Sequence, residues 1–304
     1  MKHRLSQRQI ISGYLFAIGA TALWSGNFIV ARGLNESIPP VSLAFWRWVV
    51  AVIVFLPFAV KSLIAQRNIL KNNIAYVSLT SLLGITIFNT LIYFAGHTTT
   101  AINLSLISIT FPIFIVILAR ICFCELISGN KVIGIVLVTI GVILLITKGN
   151  LTRLLELSFA IGDLWMLLAA LIFAVYSILL KRKPQQLSIW TLQLSTFILG
   201  LLFLLPFFIW EHVTAPPVAF DSTIIGSILY VGIFASLSAF VLWNNAIVAI
   251  GPAKAGMIYY TLPLFSGFLA HLFLHESINS IHFFSAVLIV TGILAANYNK
   301  VTKR

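Results

Sequence analysis

The sequence predicts an all-α polytopic membrane protein: ten transmembrane helices, arranged as two inverted five-helix repeats with both termini cytoplasmic. Three observations predict it. Of the 304 residues, 60% are hydrophobic and 9% are charged, against roughly 45–50% and about 25% in a soluble domain. The basic residues gather in alternate gaps between apolar runs. Residue patterns recur at a nearly constant offset.

The apolar segments follow one another with short breaks. The first, 11–32, comes after Lys2, Arg4 and Arg8. It is long and lacks an A-x-A-like cleavage site, so it reads as a retained helix rather than a signal peptide. The turn Asn35–Pro40 leads into 40–61, and Gln66–Asn73 into 73–95. Segment 98–119 follows directly, and Ser128–Lys131 precedes 131–148. A linking loop, 149–160, opens the second half at 161–181. Lys181–Gln186, Glu211–Pro217, Gly251–Pro252 and Asn279 then introduce 187–209, 223–248, 252–274 and 279–298, before a basic tail, 299–304. Each run approaches the ~20 residues that a membrane-spanning helix needs.

Charge sets the orientation. With the N-terminus inside, fifteen of the nineteen lysines and arginines fall in cytoplasmic segments. Glu36, Glu156, Asp163, Glu211, Asp221 and Glu276 fall outside, leaving only Glu125 within. The net charge of +12 is therefore a topology signal, not a nucleic-acid footprint.

The repeat is visible in pairs of residues. Gly13-Tyr-Leu-Phe opens the first segment, and Gly162-Asp-Leu-Trp opens the sixth, 149 residues later. Arg32 matches Lys181 and Pro57 matches Pro206 at that offset. Further along the offset is 151: Thr110-Phe-Pro112 matches Thr261-Leu-Pro263, Glu125 matches Glu276, and Gly141 matches Gly292. This divides the chain into repeats 1–148 and 161–298. Five helices is an odd number, so the second repeat is inverted. Inverted repeats place a binding site near the bilayer midplane, between the halves.

The chain resembles the EamA-like ten-helix group of the drug/metabolite transporter superfamily. The residues that carry this are Ala22-Leu-Trp-Ser-Gly-Asn-Phe-Ile-Val-Ala-Arg32, Pro40 with Trp46-Arg47, Thr110-Phe-Pro112 with Glu125, and Thr261-Leu-Pro263 with His275-Glu276. Ser25 departs from the glycine that members often carry there, which bears on helix packing. The glutamate within the first span of four-helix relatives is absent, so their carboxylate-based proton coupling does not carry over. The resemblance implies export or exchange of amino acids, related metabolites or other small organic molecules across the cell inner membrane.

Polar side chains within spans are costly unless they face protein or water, which makes them candidates for a site. Trp24 and Asn27 share a helix face, as do Asn89, Tyr93 and His97. Tyr176, Asn244, Asn245, Tyr259 and Tyr260 complete the predicted substrate cavity. Asn27 corresponds to Tyr176, and Tyr93 to Asn244. Such a lining offers stacking faces and neutral hydrogen bonds, suited to a zwitterion or planar organic molecule. Arg47 lies roughly 10 Å inside its helix at 1.5 Å per residue. It reads as a gating or structural charge, the alternatives being snorkelling to the outer headgroups, pairing with helix-end carbonyls and contact with a substrate carboxylate. His97 and His271 are candidates for protonation.

The expected partners are a small-molecule substrate, with proton coupling left open, and the lipid bilayer, in a monomer or homodimer. No metal site, cofactor or nucleic acid is expected. Cys122 and Cys124 lack the partners of a metal centre. No H-E-x-x-H, G-x-S-x-G or P-loop is present, which argues against an enzyme. A non-transporting membrane scaffold is the other alternative.

Overall fold

The computed structural model describes residues 7–27, 30, 33–34, 36–99, 101–147, 149–150, 152, 160–274 and 280–298. Among these residues all regular structure is helical. The principal helices of the first half are α1 (Gln7–Trp24), α2 (Pro40–Ala65), α3 (Ile74–Thr98), α4 (Ala101–Ser108), α5 (Thr110–Phe123) and α6 (Gly129–Ile146). Those of the second are α7 (Ile161–Lys181), α8 (Ile189–Thr214), α9 (Ser222–Ile250), α10 (Pro252–Tyr259), α11 (Leu262–Leu274) and α12 (Ser280–Asn297). Seven stretches of the described residues are long and apolar enough to cross a membrane. Large apolar side chains cover the outside, with Phe58 71% and Phe283 67% exposed. A water-soluble monomer does not present so much apolar surface.

Element bounds recur at the offsets seen in the sequence. The α2 and α8 helices are both 26 residues long, start 149 residues apart, and carry Pro57 and Pro206 at matching positions. The α4/α10 and α6/α12 pairs recur at an offset of 151, with eight and eighteen residues each. Between these blocks, α3 contains a π-helical stretch, Leu82–Ile87, and α9 contains one at Val231–Ser238. The second is eight residues against six. Those two extra residues account for the shift from 149 to 151.

Two segments that read as continuous spans, 98–119 and 252–274, are broken. The first parts at Ile109, between α4 and α5; the second parts at Tyr260 and Thr261, between α10 and α11. A proline follows each break. Pro112 and Pro263 have no N–H to give the carbonyls of Ser108 and Tyr259, four residues earlier, which weakens the helix at that point. Threonine covers the exposed end both times. Thr110 Oγ1 donates to the Ile107 carbonyl at 2.7 Å, and Thr261 Oγ1 to the Ile258 carbonyl at 2.8 Å.

The first segment also ends differently from its apolar run, because α1 stops at Trp24 and the chain turns at Ser25 and Gly26. Ser25 Oγ donates to the Ala22 carbonyl at 2.6 Å, and its own carbonyl accepts from Ser266 Oγ at 3.2 Å. The serine hydroxyl here satisfies the Ala22 carbonyl, which a glycine would leave to another group.

Helices of one half pack against helices of the other. Near the end of α8, Glu211 accepts from the Val41 and Ser42 amides at 3.1 and 2.6 Å, satisfying the start of α2. Near the end of α2, Ser62 Oγ meets Ser188 and Thr191 at the start of α8, each at 2.8 Å. These two equivalent helices therefore run antiparallel. The same holds for α6 and α12, whose backbones touch at Gly134 and Gly292. A Cβ on Gly292 would sit 2.7 Å from the Gly134 carbonyl oxygen and 2.9 Å from the Val138 amide nitrogen. Backbone cannot step aside, so Gly292→Val should destabilise the protein by at least about 1–3 kcal/mol. The check is the thermal melt in detergent; a wild-type melting temperature would mean that α6 and α12 do not approach this closely.

Candidate substrate site

The helix interruptions converge on a cluster of aromatic rings. Trp24, at the end of α1, donates its indole N–H to the Ala235 carbonyl at 2.8 Å, within the π stretch of α9. Widened turns of this kind often mark functional positions. The Trp24 ring meets Phe173 and Trp243 at centroid distances of 5.3 Å. Phe173 stacks on Phe88 at 4.2 Å, and Phe111 meets Tyr259 edge-on at 4.7 Å. Rings from α1, α3, α5, α7, α9 and α10 thus form a septum across the middle of the bundle.

A polar cluster lies on each side of this septum. Toward the Pro40 end of α2, Tyr93 Oη donates to Asn27 Oδ1 at 3.2 Å. Arg47 joins them: Nη1 donates to Asn27 Oδ1 at 3.2 Å and to the Tyr93 oxygen, and Nε donates to Ser236 Oγ at 2.6 Å. Toward the Lys181 end of α7, Tyr176 Oη donates to Asn244 Oδ1 at 3.0 Å. Asn244 Nδ2 in turn donates to Gln193 Oε1. Each cluster contains one phenol bonded to one amide. Their repeat positions are exchanged, since Asn27 matches Tyr176 and Tyr93 matches Asn244. The charge is not exchanged; Thr196 stands 149 residues after Arg47.

The structure brings most of the predicted residues together. Trp24, Asn27, Asn89 and Tyr259 line one void with Phe88 and Ile92. Tyr93 and Arg47 contact it through Asn27, while Tyr176 and Asn244 belong to the second cluster. Asn89 Nδ2 donates to the Gly84 carbonyl at 3.2 Å, serving the π stretch of α3. Asn245 lines a separate void of ≈ 90 Å³ with Gln193 and Trp190. Tyr260 is buried at the break between α10 and α11. His97 is half-buried in the last turn of α3, and His271 lies on α11 with its side chain outside the described residues. No group of three or more metal-ligating side chains occurs among the described residues.

Two expectations change. Arg47 does not snorkel; its side chain is fully buried, because its face of α2 meets the π stretch of α9 rather than lipid. The predicted cavity is closed as well. The void at Asn27 is ≈ 10 Å³, about the room one water needs, because the rings fill the space. Asn27 is 5% and Asn244 1% exposed.

Sequence reading missed Ser236, Gln193 and Phe240, whereas Phe173, 149 residues after Trp24, was legible as that residue's repeat counterpart. Ser236, Phe240, Trp243 and Asn244 are spaced four, seven and eight apart, which is one helix face. That spacing was a usable signal for Ser236. Gln193 carried none.

The antiparallel pairing of equivalent helices, with matched breaks, gives a pattern that can be compared with known proteins. The EamA-like transporter family matches residues 11–147 and 160–298. The chain belongs to the EamA-like transporter family. It is 27% identical over 279 residues to an uncharacterized transporter of Archaeoglobus fulgidus, covering 89% of this chain and 92% of that one. It is 26% identical over 288 residues to the uncharacterized transporter YyaM of Bacillus subtilis (strain 168), covering 93% of each. A solved crystal structure superposes with a TM-score of 0.75 at 18% identity, covering 94% of this chain and 96% of that one. That likeness is one of fold. This member of the EamA-like family is accordingly a multi-pass membrane protein of transporter type.

Proposed function

We propose that the chain is a secondary transporter of the cell inner membrane that exports amino acids or related small organic metabolites by alternating access. In this reading ten transmembrane helices form two inverted five-helix repeats, 1–148 and 161–298, joined by 149–160. A cytoplasmic tail, 299–304, follows, and both termini lie inside. One observation carries the reading. Paired breaks and paired π stretches fall at matching positions of the two halves and meet around Trp24, Asn27 and Asn244. A helix break supplies a joint, and joints on both sides of a ring septum permit it to open toward either end.

The site's chemistry suits a small solute with a polar end and an apolar or planar body. The rings offer stacking faces, and the amides and phenols offer neutral hydrogen bonds. In the closed conformation there is no room for such a solute, so binding must part the rings.

The compact interior also favours a second reading, a non-transporting scaffold. Cysteine labelling separates the two. Asn27→Cys and Asn244→Cys should each react with a membrane-impermeant maleimide in a transporter, although both positions are buried here. Silence at both positions would favour the solid bundle. Uptake into proteoliposomes of amino acids, nucleosides and vitamins, with and without a proton gradient, then tests substrate class and coupling; movement of none of them would count against transport.

A further inference from the structure

Arg47 makes a chemical demand that its surroundings leave unmet. The side chain is fully buried, and its Nη2 has no hydrogen-bond partner. Its other donors go to Ser236, Asn27 and Tyr93, all neutral. Among the described residues the carboxylate–cation pair is Lys181 with Glu125, and Arg47 has no carboxylate within 4 Å. The guanidinium stays charged in proteins. The rings of Trp48 and Tyr93, with centroids 5.3 and 5.6 Å from Arg47 Cζ, offset part of the cost of burial. They do not supply an anion. An orphaned buried donor is rare enough to require an explanation.

We propose that Arg47 receives the carboxylate of the transported solute, with Asn27 and Tyr93 holding the guanidinium while the site is empty. This rests on the transporter reading above. A carboxylate matches a guanidinium edge through two parallel N–H donors. Nη2 is free, and Nη1 is held by an amide and a phenol oxygen. A carboxylate outcompetes both, because it adds a full opposite charge and accepts two parallel N–H bonds, and in a buried site that attraction is little screened. Asn27 also borders the small void beside Trp24 and Tyr259, so a solute anchored at Arg47 would lay its body against those rings. The ligand class is narrow. Arg47 is the fully buried cation among the described residues, and its repeat position holds Thr196. One guanidinium suits a monocarboxylate with an apolar or aromatic body, not a dicarboxylate or phosphate ester.

The test uses the purified full chain in detergent. A panel of monocarboxylates, from propionate to 3-phenylpropionate and the common amino acids, is compared with the matching primary amides in thermal melts. Acids are expected to raise the melting temperature and their amides are not. Asn27→Asp adds a counter-ion beside Arg47. It should raise the melting temperature of the empty protein and weaken the response to the acids at least about tenfold. Equal responses to acids and amides, or an undiminished acid response in Asn27→Asp, would overturn the assignment. Counterflow in proteoliposomes with the same panel keeps the two readings apart. Amides moving as well as acids would sink the carboxylate site and leave transport standing. Acids that stabilise the protein but do not move would do the reverse.

Discussion

Replacing Arg47 with methionine is expected to reduce transport by at least about 30-fold while leaving the melting temperature of the empty protein unchanged or raised. The two halves of this expectation have separate causes. Transport falls because truncating one side of a buried hydrogen-bonded charge pair costs about 2–5 kcal/mol, here in the solute-bound state. At 1.4 kcal/mol per factor of ten, that is a loss of roughly 30-fold to several thousand-fold. Stability holds because the groups left behind keep their partners. Tyr93 Oη still donates to Asn27 Oδ1 at 3.2 Å, and Ser236 Oγ to the Val231 carbonyl at 2.7 Å. Replacing buried charge by a well-packed apolar group of similar volume is often neutral, or stabilising by about 1–4 kcal/mol. Proteoliposome flux and a thermal melt on one preparation read both quantities. A marked drop in melting temperature would make Arg47 a structural keystone instead, with transport lost through misfolding.

The boundaries of the fold were legible in the sequence because hydropathy and punctuation report on solvent and on turns. Pro39-Pro40 opens α2, Ser188 caps α8 by accepting from the Thr191 amide, and Asp221 does the same for Ile224 at the start of α9. What hydropathy cannot see is whether the backbone is continuous through an apolar run. The breaks at Ile109 and Tyr260 lie inside runs whose average remains apolar despite Ser108, Thr110, Tyr259 and Thr261, so both runs read as single spans. The matched Thr-x-Pro triplets held the information, but as repeat markers their mechanical meaning was not drawn. The site was legible as residue types and not as an arrangement. Asn27 and Tyr93 were found by spacing; that they meet Arg47 depends on a contact between α2 and the π stretch of α9, which no local pattern records. The closed state of the void was equally invisible, since it depends on how rings from six helices mesh.

Restoring helix continuity at the two breaks is expected to slow transport by one to two orders of magnitude. In Pro112→Ala the new amide reaches for the Ser108 carbonyl, and in Pro263→Ala for the Tyr259 carbonyl. Each substitution also removes the ring that clashes with the preceding turn. A proline inside a helix costs about 3 kcal/mol relative to alanine. Its removal therefore favours any conformation with a straight helix by up to that amount. Alternating access requires conformations of comparable free energy, and a bias of about 3 kcal/mol shifts their ratio by roughly a hundredfold. The breaks sit in equivalent helices of the two halves, so the single variants should favour different conformations. Maleimide labelling of Asn27→Cys should then change in opposite directions in Pro112→Ala and Pro263→Ala. The double variant should recover part of its conformational balance but not its turnover, because both joints are stiff. Unaltered flux in both single variants would mean that these breaks are fixed architecture, and that opening of the Trp24 septum takes place at the π stretches of α3 and α9 instead.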